Sequence, residues 1–148
     1  MTIDYETDFY AWSDEQARLL RSGRYGQLDI DHLAEEVEDL GKRERRALQS
    51  RLGVLIGHLL KWRYQADCPH RKSWRATINT QRRAIRRLLG ENPSLSAQLD
   101  ALIEEAYPDA VDLAVGETPL DYDAFPDACP WGAERILGDH WPGEGPGG

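Results

Sequence analysis

The chain has 148 residues, 41% hydrophobic and 30% charged, which supplies one substantial core and excludes an intrinsically disordered protein. Its formal net charge of −8 and pI near 5.0 argue against general attraction to nucleic acid or an anionic membrane surface. The Met1-Thr2-Ile3-Asp4 start lacks a signal peptide's basic and apolar regions, and Leu52 to Leu60 is far short of the ~20 residues that span a bilayer, so a cytoplasmic protein with no membrane partner is expected.

The first helix is expected from about Asp4 to Ser22, with Phe9, Trp12, Leu19 and Leu20 as its apolar stripe. Ser13 followed by Gln16 would make a capping box, which would instead start the helix at Asp14. Ser22-Gly23 stops it and Arg24 to Gln27 turns the chain. Asp29 or Asp31 then caps a second helix. Ile30, Leu33, Val37, Leu40, Ala47, Leu48, Leu52, Leu55, Leu59 and Trp62 recur mostly at three- and four-residue steps as far as Arg63. Such a helix would be about 50 Å long. From Leu52 to Leu60 it is apolar nearly all round, as a central core helix is. Gly53 and Gly57, one turn apart, would let a neighbour approach closely, and Gly41 could kink the rod.

Cys68-Pro69 forces a break. Trp74, Ile78, Gln81, Ile85, Leu88 and Leu89 define one face of a third helix, Ser73 to Leu89, which Gly90 ends. Asn92-Pro93-Ser94 opens a fourth that runs through Leu95, Leu99, Leu102, Ile103, Ala106 and Ala110 to Ala114, with Pro108 a potential kink. Gly116 to Leu137 intersperses proline with aromatics and allows two short helical turns. Residues 141–148 have the composition of a flexible tail. The expected fold is all-α: an up-down bundle of four main helices with a long central second helix and a loop-rich C-terminal segment, in a single domain over residues 1–140.

Charge is segregated along this scaffold. Pro69 to Gly90 holds seven basic residues and no acid, leaving eleven basic residues for all 26 acids elsewhere. On a helical wheel Arg75, Arg82 and Arg86 follow one edge of the buried stripe, whereas Lys72, Arg83 and Arg87 point nearly opposite. The edge arginines are expected to aim at Glu36, Glu38 or Glu44 of the second helix. Glu44 and Arg51 lie within that helix's apolar stripe, two turns apart, where charge is costly unless paired, so each needs a partner from another helix or from the other and they are candidates for the same network. The outward Lys72, Arg83 and Arg87 are the candidate surface site for an external anion. Nucleic-acid binding would need a broader basic surface with interleaved exposed aromatics.

His32, Glu35 and Glu36 share a helix face at ligand spacing, and His58 borders the apolar stripe. Bundle di-metal centres need repeated Glu-x-x-His motifs on several helices, whereas His-x-x-Glu occurs here once, so no metal or cofactor is expected. Cys68 and Cys129 each precede proline and form no CxxC pair, which reads as two reduced thiols. Phosphate loops, nucleophile elbows and zinc-finger spacings are missing from the sequence, and no residue is assigned a catalytic role. The leading expectation is a non-enzymatic module that binds a protein partner or itself. Polyanion binding and a metal-dependent activity at the His/Glu positions are the alternatives.

Several blocks act together as a signature: Tyr5-x-x-Asp8-Phe9-Tyr10-x-Trp12, Gln16-x-x-Leu19-Leu20-Arg21, Leu33-Ala34-Glu35-Glu36-Val37-Glu38-x-Leu40-Gly41, Leu55-x-x-His58-Leu59-Leu60-Lys61-Trp62-x-Tyr64, Ser73-Trp74-Arg75-Ala76-Thr77-Ile78 and Phe125-Pro126-x-x-Cys129-Pro130-Trp131. In this combination the chain resembles the bacterial domain-of-unknown-function family 29, from Tyr5 to about Leu137. The resemblance implies an all-helical, cytoplasmic bacterial protein and brings no catalytic residues with it.

Overall fold

A computed structural model describes residues 3–143, and these are all-α, with no strand among them. Four long helices, α1 (Phe9–Arg21), α2 (Ile30–Tyr64), α3 (Arg71–Glu91) and α4 (Leu99–Glu117), precede a short α5 (Ala133–Leu137). 3-10 turns at Tyr25–Gln27, Pro93–Gln98 and Tyr122–Ala124 link them. No helix is long and apolar enough to cross a membrane. Gly41 and Pro108 both lie inside unbroken helices. The chain divides into two compact units, Met1–Arg43 and Glu44–Gly148, with α2 contributing Ile30–Arg43 to the first.

The first unit is a helical hairpin. The Asp8 carboxylate accepts from Ala11 N–H at 3.0 Å and starts α1 at Phe9, which replaces both expected start points, Asp4 and Asp14. Gly23 takes φ +75° after the last turn, the left-handed geometry that stops a helix and that glycine adopts without a Cβ clash. The hairpin buries little: Trp12, Gln16 and Leu19 are its buried side chains on α1.

The second unit holds the hydrophobic core. Leu48, Leu52, Leu55, Ile56, Leu59 and Leu60 of α2 are essentially inaccessible. They meet Ile78 and Ile85 of α3, Leu102, Ala106 and Ala110 of α4, and Ile136 of α5. The Gly53–Gly57 pair admits α4 as expected. A Cβ on Gly57 would lie 2.9 Å from Leu113 Cδ2 and 3.1 Å from the Ala110 carbonyl oxygen. Within the expected tail 141–148, residues 144–148 lie outside the described ones. Trp141 is not free: its ring lies 4.7 Å from that of Trp62, and Pro142 is fully buried.

Candidate functional site

Apolar side chains that the wheel assigns to a core face are left open in the first unit. Phe9, Leu20, Ile30, Val37 and Leu40 are 46–66% exposed, although their spacing is that of two buried stripes. Among the described residues every exposed large apolar side chain except Tyr122 precedes Arg43. Between the two helices of the hairpin lies a groove of about 340 Å³. Phe9, Trp12, Ala17 and Leu20 of α1 face Leu33, Val37 and Leu40 of α2 across it. Isolated exposed leucines need no explanation, but a contiguous apolar concavity does.

One wall of this unit is fixed by aromatic stacking and hydrogen bonds. The Tyr5 ring stacks on His32 at 4.0 Å between centroids and meets Trp12 edge-on at 4.8 Å. Its hydroxyl donates to Glu36, which holds the phenol proton so firmly that the Tyr5 pKa is pushed up to about 12. Asp29 gathers three groups from the hairpin. Its carboxylate accepts from Trp12 Nε1 at 2.9 Å and meets His32 Nδ1 at 2.7 Å, while its backbone N–H donates to buried Gln16 at 2.8 Å. The hydrogen bond to His32 lowers the Asp29 pKa, and the same bond raises that of His32. Ser13 is tied to the Tyr10 carbonyl at 2.9 Å. The segment is acidic overall, with eleven Asp and Glu against five Lys and Arg in residues 1–43, whereas the groove itself is lined by one acid, Glu36, and one base, Arg43. An apolar floor of this kind is suited to binding apolar side chains.

The candidate metal ligands do not converge. Among the described residues no group of three or more His, Cys, Asp and Glu is placed to hold a metal ion. His32 and Glu36 are engaged by Asp29 and Tyr5, and Glu35 is exposed. In the second unit His58 points Nδ1 at the Val54 carbonyl, 2.8 Å away, and burial lowers its pKa.

The proposed interhelical network of Glu36, Glu38, Glu44, Arg51, Arg75, Arg82 and Arg86 is replaced by other partners. Arg82, 3% exposed, donates from Nε to Ile136 O at 2.8 Å and from one terminal nitrogen to His140 O at 2.6 Å and Arg135 O at 3.3 Å. Arg86 Nε donates to Leu137 O at 3.1 Å, and Arg75 lies over the Trp141 ring at 5.3 Å. The edge arginines thus serve an internal role, but on α5 and the segment after it. The end of a short helix presents unpaired carbonyls, and a guanidinium fan satisfies several at once. Arg51 donates to Gln81 at 3.2 Å and Glu44 accepts from Asn92 at 3.5 Å, while Glu38 is exposed. The outward Lys72, Arg83 and Arg87 are exposed, and none forms a salt bridge among the described residues.

Two ion pairs went unread in the sequence. Arg45 pairs both terminal nitrogens with the Glu105 carboxylate at 3.1 Å. Lys61, buried, is bound to Glu117 and lies 4.8 Å from the Trp74 ring centroid. The available signal was a lysine directly after an all-round apolar run and before Trp62, a position that demands a partner.

Comparison with known proteins returns one family. The profile described as "Domain of unknown function DUF29" matches residues 5–142. No curated protein and no solved structure matches the chain.

Proposed function

This chain belongs to the DUF29 family, and we propose that its first unit is a helix-docking module, a non-enzymatic surface for protein association. One observation supports this reading above all. Residues whose spacing is that of a buried helix face remain half exposed and line a single groove. Tyr5, Trp12, Asp29 and His32 brace the hairpin, so the groove is preformed and binding need not order it. A bacterial cytoplasm is the proposed setting, where Cys68 and Cys129, both free thiols, stay reduced.

A photo-crosslinking amino acid placed at Val37 in the native cell tests the reading. A discrete crosslinked protein product is expected there and none from the exposed control position Glu104. No product at Val37 overturns it. A separate polyanion site at Lys72, Arg83 and Arg87 is supported by their exposure without ion-pair partners among the described residues. A low-salt titration with RNA and DNA tests it, because phosphate contacts must weaken steeply as salt rises.

A further inference from the structure

We infer that the occupant of the groove is a second copy of this chain, docked through an antiparallel crossing of α2 on α2; this rests on the docking reading above. Along the first unit's part of α2 the apolar stripe, exposed at Ile30, Val37 and Leu40 and half-buried at Leu33, follows a heptad. Ile30 and Val37 repeat at one position, Leu33 and Leu40 at the other, three residues after each. One flank of that stripe carries Glu36 and Arg43, both on the groove. The other carries Ala34 and Gly41, both exposed, and a Cβ on Gly41 would meet nothing within 4 Å.

These flanks discriminate between occupants. In an antiparallel two-fold crossing Val37 packs against Leu40 of the other copy, and residues on the same flank face each other across the seam. Glu36 of each copy then lies opposite Arg43 of the other, giving two symmetry-related pairs of opposite charge. A parallel crossing would set Glu36 against the Gly41 flank, where there is nothing to pair with. The Glu36 carboxylate has capacity beyond the bond it accepts from Tyr5, and Arg43 forms no salt bridge among the described residues. The small Ala34–Gly41 flank lets the two backbones approach. Two hairpins joined this way complete the four-helix arrangement that one hairpin leaves half built. The surface is therefore complementary to itself in both shape and charge.

Light scattering after size exclusion on the full chain should give about twice the 16.8 kDa monomer mass. The double substitution Val37→Glu/Leu40→Glu should give a folded monomer whose melting temperature no longer rises with protein concentration, because both side chains are exposed within the monomer and only the association contribution is lost. Glu36→Lys and Arg43→Glu, each alone, place like charges across the seam twice and should raise the dimer Kd about tenfold. Combining them in one chain should restore the dimer, and mixing the two single variants should give a heterodimer. A wild-type chain that stays monomeric at ~100 µM, or a combined variant no tighter than the singles, overturns the inference. The Val37 crosslink separates the two failures. A product containing a different protein retires the second copy and keeps the docking module; no product removes both.

Discussion

The Nε of Arg82 lies 2.8 Å from the carbonyl oxygen of Ile136, at the C-terminal end of α5, with no carboxylate as its partner. The guanidinium also reaches His140 and Arg135, so one buried side chain serves three main-chain acceptors, of which the Ile136 carbonyl is fully buried and the other two partly so. Burial away from solvent lowers its pKa, with the nearby Arg86 charge adding to the effect. Even a lowered arginine stays protonated at physiological pH, so the fan of donors is permanent.

Arg82→Ala should therefore destabilise the protein by about 3 kcal/mol, the cost of one orphaned buried carbonyl, two lost part-buried bonds and lost packing. Arg82→Lys should recover only a minor part, since an ammonium cannot span three separated oxygens. Chemical denaturation measures the loss, and limited proteolysis should show earlier cleavage after Gly138. Equal stability of the lysine variant and the parent would contradict the assigned geometry.

Lys61 and Glu117 make an asymmetric pair: the lysine side chain is 2% exposed and the glutamate 54%. Glu117→Gln leaves a buried ammonium short of its counter-charge and should cost about 2 kcal/mol, a value discounted for the solvent already around Glu117. Lys61→Met leaves only a solvated carboxylate and should cost less. The double substitution should lie nearer to Lys61→Met than to the sum of the single effects, which a double-mutant cycle by urea denaturation reads directly.

The same contrast separates what was legible in the sequence from what was not. Periodicity marks Ile78, Ile85 and Leu52 as core because a three-four spacing is a property of the helix itself. It also marks Phe9, Val37 and Leu40, yet these are exposed. Spacing says which face is apolar and nothing about whether another element covers it. Arg82 fails for a different reason. Its place at the edge of the stripe shows that it needs acceptors, and acids are the acceptors a sequence displays. Backbone carbonyls have no letter, so a helix end folded onto α3 cannot be seen until the tertiary structure is known. Gly57 is the reverse case, since a glycine beside a run of leucines announces a close neighbour.

The Asp29–His32 pair should make the first unit's stability depend on pH in two directions. His32 is raised above its ordinary 6.5, so its contribution is complete below that value and disappears as pH climbs through the folded pKa. Asp29 is lowered below its ordinary 3.8, so its contribution is complete above that value and disappears as pH falls through the folded pKa. The pair is therefore at full strength between roughly pH 4 and 6.5. The Trp12 indole N–H, which donates to the same carboxylate, should show NMR shift changes on both sides of this window. His32→Gln should abolish the alkaline step and leave a smaller acid one, sustained by the Trp12 hydrogen bond to Asp29.

Gly57→Ala tests the approach of α4 to α2. The added methyl would stand 2.9 Å from Leu113 Cδ2 and 3.1 Å from Ala110 O. Leu113 can rotate, whereas the Ala110 carbonyl belongs to α4 and moves only with the helix. Alanine's better helix propensity offers about 1 kcal/mol in return, less than the ~1–3 kcal/mol that overpacking of this kind costs. The expected outcome is a lower melting temperature. Gly41→Ala, with open space around its Cβ, should raise it through the same propensity. Opposite signs at two glycines of one helix would locate the tight packing at Gly57. Destabilisation at both would mean that α2 needs flexibility rather than clearance.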